Sequence, residues 1–195
     1  MLNIYFVRHC QTDYTPEGLI RDEKHLCQAG RQQAIELKKQ LQKSKIHFDA
    51  IYTSDMVRGV ETITPYVLDE HKKIISRPSL RELKIHWELK VLFEESKKNP
   101  HFKFPDGESL QEGRSRYLKA TQNIINKHTS GNIIIVTHGV VFREFLKHHF
   151  PNDPIDQLVI SNPDVYKVQI KNNKVISYDK EESLVPENAV VRYHS

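Results

Sequence analysis

The sequence predicts an α/β fold: a three-layer α/β/α sandwich around a mostly parallel central sheet. Two observations carry that expectation. Short β-type runs alternate with helical stretches along most of the chain, the pattern of a parallel sheet covered by helices on its faces. One of those runs, Ile133-Ile134-Ile135-Val136-Thr137, is continuous and mostly β-branched, as a strand buried on both faces requires. At 195 residues the chain fits one core. Residues 1–180 are therefore read as a single domain, and 181–195, which lack periodicity, as a loosely ordered C-terminal tail.

The elements follow in order. Strands are predicted at 2–7, 48–53, 73–77 and 131–137, and a hairpin at 164–171 and 174–178 around Asn172-Asn173. The stretch 28–44 reads as a helix because Ala34, Leu37 and Leu41 form an apolar stripe among lysines and glutamines. A second helix spans 55–70 and opens on Asp55, a plausible N-cap region. The third, 107–128, carries Leu110, Tyr117, Leu118, Ile124 and Ile125, with Glu108 and Ser109 as either a cap or part of a pocket floor. The fourth, 139–149, leaves the buried strand directly and stops at Pro151.

Composition excludes several classes. A 38% hydrophobic fraction with 28% charged residues fits a folded globular protein. The net charge of +4 is spread among scattered lysines and arginines, not gathered into the aromatic-interleaved stripe of a nucleic-acid surface. No run approaches the roughly 18 apolar residues of a membrane span. The apolar N-terminal run is too short for a secretory signal, so a cytoplasmic location is expected. Two cysteines, Cys10 and Cys27, make no disulfide framework, and eleven dispersed histidines show no metal-ligand spacing. Neither metal nor cofactor is expected.

The chemistry concentrates in Arg8-His9-Cys10-Gln11, where a β-type run ends abruptly on a cation and an imidazole. Ligands in open α/β domains bind at the carboxyl ends of strands. Arginine grips an oxyanion through two parallel hydrogen bonds, and histidine serves as nucleophile or proton carrier. His9-Cys10 resembles the start of a cysteine phosphatase loop, but that chemistry needs an arginine six residues after the thiol, where this chain has Pro16. With His9 as nucleophile, further cations must come from elsewhere. The same strand–histidine junction recurs where 133–137 ends on His138-Gly139, and Arg58 follows the 48–53 strand. Arg8, His9, Arg58 and His138 can thus meet at one sheet edge. There Gly139 permits close backbone approach, and a helix N-terminus favours anions.

At these residues the chain resembles the histidine phosphatase superfamily, with its phosphoglycerate mutase-like fold. The matching segments are VRHCQT (7–12), LCQAGRQQA (26–34), IYTSDMVRGVET (51–62), LRELKIHWE (80–88), FPDGESLQE (104–112) and VTHGVVFR (136–143), in family order. The resemblance implies that His9 attacks phosphorus and becomes a phosphohistidine. It makes Arg8, Arg58 and His138 the phosphoryl clamp and Glu82 the general acid and then base, with Gln11, Thr12 and Gly139 lining the pocket. The implied partner is a small phosphorylated substrate, hydrolysed by a phosphatase; nucleic acid and membrane are not implied.

Several positions depart from the family pattern. Its glycine after the nucleophile is Cys10 here, its Leu-Thr is Leu26-Cys27, its Glu-Gly is Glu88-Leu89, and Gly59 stands where alanine is usual. A side chain at position 10 is expected to crowd the pocket or shift its loop, and a thiolate there would be oxidisable. Two alternatives therefore stay open: a mutase-type phosphotransferase, for which the chain has little room for shielding insertions, and a catalytically impaired phosphate- or partner-binding relative. Substrate choice is assigned to 13–25 and 84–105, with Trp87 as packing or substrate rim.

Overall fold

A computed structural model of the chain describes residues 1–13, 24–85 and 89–190. Its strands are β1 (Leu2–Arg8), β2 (Ala50–Thr53), β3 (Ile74–Ser76), β4 (Gly131–Thr137), β5 (Val165–Lys171) and β6 (Lys174–Lys180). Its helices are α1 (Gln28–Lys43), α2 (Val57–Asp69), α3 (Leu89–Lys98), α4 (Leu110–Lys127) and α5 (Gly139–His149). The strands form one six-stranded sheet in the order β3-β2-β4-β1-β5-β6. The first four are parallel and the β5–β6 hairpin runs antiparallel to β1. The predicted three-layer α/β arrangement is what the chain adopts.

Side-chain alternation along the two central strands builds a core on each face. Leu2, Ile4 and Phe6 of β1, with Ile133 and Ile135 of β4, pack under Tyr117 and Ile124 of α4 and Phe142 and Phe145 of α5. Tyr5 and Val7, with Ile134 and Val136, face Leu37 and Leu41 of α1 and Ile63 and Tyr66 of α2. Each such large side chain removed from water contributes about 1.5–3 kcal/mol. Asn172 and Asn173 turn the hairpin with φ of 51° and 60°, the pair of positive φ values that a two-residue turn between twisted strands requires.

The structure departs from expectation at several elements. α2 starts at Val57 with Met56 as its N-cap, because the Asp55 carboxylate is taken by a bidentate pair with Arg81. α4 starts at Leu110, where Ser109 and Glu112 form a reciprocal capping box. α3 was not expected. It has ten residues, and Leu92 buries only into a small satellite cluster with Leu83 and Ile85. In the C-terminal stretch, Leu184 is buried against the α1 face, and Val190 bridges Asn162. Among the described residues no helix is long and apolar enough to cross a membrane. Trp87 and residues 14–23, to which substrate choice was partly assigned, lie outside the described residues, as do 191–195.

Candidate active site

Strand register builds the site. β1 and β4 are parallel neighbours with Arg8 opposite Thr137, so the next residues, His9 and His138, leave the sheet side by side. Their ring centroids lie 5.2 Å apart. Thr53 of β2 pairs with Val136, which brings Ser54 and then α2 to the same edge. Ser54 Oγ lies 2.8 Å from His138 Nε2. Gly139 opens α5 directly against Arg8; a Cβ there would sit 3.4 Å from the guanidinium.

Backbone contacts around His9 are numerous. Its N–H donates to the Thr137 carbonyl (3.0 Å), and its ring Nδ1–H donates to the Cys10 carbonyl at 2.7 Å. A carbonyl only accepts, so Nδ1 carries the ring proton and the lone pair lies on Nε2. The Cys10 N–H donates to Thr62 Oγ1 (2.9 Å), and that hydroxyl donates to the Arg58 carbonyl (2.7 Å). One helical turn of α2 thereby ties the loop after β1 to the residue that carries the second guanidinium.

The electrostatics are those of an anion site. Arg8 and Arg58 are both buried, and His138 is fully buried. Burial holds His138 well below the ordinary histidine range, helped by the guanidinium charges of Arg58 and Arg8, so the ring is neutral. Among the described residues, His138 Nδ1 has no hydrogen-bond partner. Glu82 reaches the same place from the segment before α3. Its carboxylate accepts the N–H groups of Val140 (3.0 Å) and Val141 (3.1 Å) in the first turn of α5, and of Leu83 (2.9 Å). Among the described residues no group of three or more His, Cys, Asp or Glu side chains gathers to hold a metal.

Comparison with known proteins identifies the family. Residues 4–178 match the model of the histidine phosphatase superfamily (branch 1). The chain belongs to that superfamily. It is 26% identical over 182 residues to phosphoglycerate mutase-like protein 4 of Arabidopsis thaliana, covering 85% of this chain and 79% of that one. It is 29% identical over 157 residues to a metal-independent phosphoserine phosphatase of the same plant, covering 72% and 65%. The solved structure of YhfR from Bacillus stearothermophilus superposes with a TM-score of 0.77 at 24% identity, over 97% of this chain and 98% of that one. That likeness concerns the fold.

Of the candidate residues, Arg8, His9, Arg58, Glu82, His138 and Gly139 converge. Gln11 and Thr12 follow on a pinned segment. The Gln11 N–H donates to Gln33 Oε1 (2.9 Å), and Thr12 bridges Leu26. Cys10 does not crowd the pocket. Its side chain is sealed in a cluster with Leu26 and Ala34, and burial pushes its thiol up to about 12, which removes the thiolate an oxidant needs.

Other contributors escaped the sequence. Arg116 of α4 donates to the carbonyls of Ser79 (2.9 Å), Arg81 (3.0 Å) and Glu82 (3.3 Å) while bound through Nε and Nη2 to Glu108. It fixes the segment that presents Glu82. The sequence carries no signal for this contact, because Glu108 precedes α4 and lies eight residues from Arg116.

Proposed function

We propose that this chain is a phosphatase that hydrolyses a small phosphomonoester through a phosphohistidine on His9. The observation that carries the reading is the pairing of the two rings. His9 holds its lone pair on Nε2 because Nδ1–H is committed to the Cys10 carbonyl. Ser54 Oγ holds His138 Nε2 at 2.8 Å, and in the tautomer where that hydroxyl donates to Nε2 the buried His138 Nδ1, without a partner among the described residues, is a donor. One ring thus offers a nucleophile and the other, 5.2 Å away, a donor.

In this reading His9 Nε2 attacks phosphorus as the bond to the leaving oxygen breaks. Arg8, Arg58, His138 Nδ1–H and the α5 N-terminus at Gly139 hold the equatorial oxygens, where transfer concentrates charge. Glu82 gives its proton to the leaving oxygen, then takes one from the water that attacks the phosphohistidine and restores His9. Gln11 and Thr12 line the pocket wall. Sequence similarity to a plant phosphoserine phosphatase supports a small phosphorylated metabolite as substrate.

The test is turnover of p-nitrophenyl phosphate together with a denaturing quench of 32P-labelled substrate. The expected result is steady hydrolysis and an acid-labile, base-stable label that is absent in His9→Ala. Arg58→Ala should lower kcat/KM by about 10- to 150-fold, the equivalent of one charge-assisted hydrogen bond of about 1.5–3 kcal/mol. No turnover and no label would overturn the reading. Label passing to an added phospho-acceptor faster than to water would make the chain a phosphotransferase.

A further inference from the structure

The turn of residues 160–164, between α5 and β5, takes no part in the chemistry above, yet it touches both residues at its centre. The Arg8 guanidinium donates to the Ile160 carbonyl, and the Arg8 N–H donates to the Asp164 carbonyl at 2.9 Å. The Asn162 side-chain amide donates to the His9 carbonyl at 2.6 Å. Ile160, Ser161, Asn162 and Asp164 are all buried, the last completely.

The turn is anchored from behind. One oxygen of Asp164 accepts the Ser161 N–H (2.5 Å), and the other pairs with Lys180 Nζ of β6 at 3.1 Å. The Asn162 backbone makes a two-way bridge with Val190, at 3.0 and 2.9 Å. On the opposite side of the loop, the Gln33 amide accepts the Gln11 N–H and donates to the Asn188 carbonyl, both at 2.9 Å. Residues 188–190 therefore act as a common fixed point for both ends of the Arg8–Gln11 run.

We propose that Asn162 is a positioning residue for His9, clamping the His9–Cys10 peptide plane against the hydroxyl of Thr62. This rests on the reading of His9 as nucleophile. The peptide unit is planar, and its two polar ends are gripped from opposite sides: the carbonyl by the Asn162 amide and the N–H by Thr62 Oγ1. Those two bonds fix the plane. The fixed plane sets where the next carbonyl, that of Cys10, lies, and that carbonyl is the acceptor that orients the His9 ring and selects its tautomer. Releasing one end lets the plane rock and the ring with it.

Two variants separate positioning from mere support. Asn162→Ala removes the clamp. Asn162→Asp keeps the shape but sets an oxygen against a carbonyl, so it donates only when protonated. Three readouts are needed: single-turnover phosphoenzyme formation with p-nitrophenyl phosphate, KM, and the ring 15N shifts of His9. Asn162→Ala should slow phosphoenzyme formation by about 10- to 100-fold, the scale of a small misplacement of a reacting group, with KM within about threefold. Its His9 shifts should move from the Nδ1–H tautomer toward a mixture. For Asn162→Asp, the rate deficit against wild type should shrink as pH is lowered from 8 to 5.

A lowered melting temperature with wild-type rates, and an unchanged His9 tautomer, would overturn the positioning role. So would an Asn162→Asp deficit that does not change with pH. If wild type forms no phosphoenzyme, the phosphatase reading fails by that result alone, and the 15N shifts still decide whether Asn162 sets the ring.

Discussion

Cys10 follows His9, at a position where the family motif read in the sequence has glycine, yet its thiol packs with Leu26 and Ala34, out of the solvent. With burial pushing the thiol up to about 12, native protein treated with iodoacetamide at pH 8 should be alkylated at Cys27 alone, and at both cysteines after denaturation. Native labelling of Cys10 would mean that the loop opens. The four residues Arg8, His9, Arg58 and His138 were legible in the sequence because cations and imidazoles at strand ends advertise their chemistry by type. Ser54 and Asn162 were not. A serine and an asparagine are ordinary loop residues, and here they act through where the backbone delivers them.

Helix α1 approaches the loop after β1 so closely that one side-chain atom would not fit. A Cβ on Gly30 would fall 1.9 Å from the Gln11 carbonyl oxygen, and that oxygen accepts the Cys27 N–H at the start of the helix (3.2 Å). Gly30→Ala should therefore cost about 1–3 kcal/mol by overpacking, measured as a lower urea midpoint, and should also lower activity by displacing Gln11. Full stability in that variant would mean that α1 is free to slide outward. β1 and β4 were legible from their composition, and α1, α4 and α5 from their periodicity. α3 was missed because its short stripe covers only the cluster around Leu83 and Ile85, and Asp55 misled at the start of α2 because a distant arginine competes for its carboxylate.

Acid should loosen the whole fold before the surface carboxylates begin to titrate. His138 is held well below the ordinary histidine value by burial and the arginines, and burial lowers His149 to about 4. Unfolding restores both to about 6.5. Below that pH the unfolded chain binds protons that the folded one refuses, so stability is fully present above about pH 6.5 and is lost as pH falls. The slope is up to about 1.4 kcal/mol per pH unit from His138. Urea midpoints should fall between pH 7.5 and 5.5, and His138→Gln should flatten that fall. A midpoint independent of pH in this range would contradict the neutral, buried ring.

The sheet order also has a consequence for synthesis. β1 pairs with β4 from Leu2 opposite Gly131 to Arg8 opposite Thr137, so β1 cannot find its parallel neighbour until the long stretch of chain between them has been made. At about 5–20 residues per second, the apolar run Ile4-Tyr5-Phe6-Val7 waits roughly 6–25 s for that partner. During that interval it is a natural client for chaperones, and His9 acquires its surroundings only in the closing steps of folding. Enzymatic activity in a translation extract should accordingly lag behind the release of full-length polypeptide.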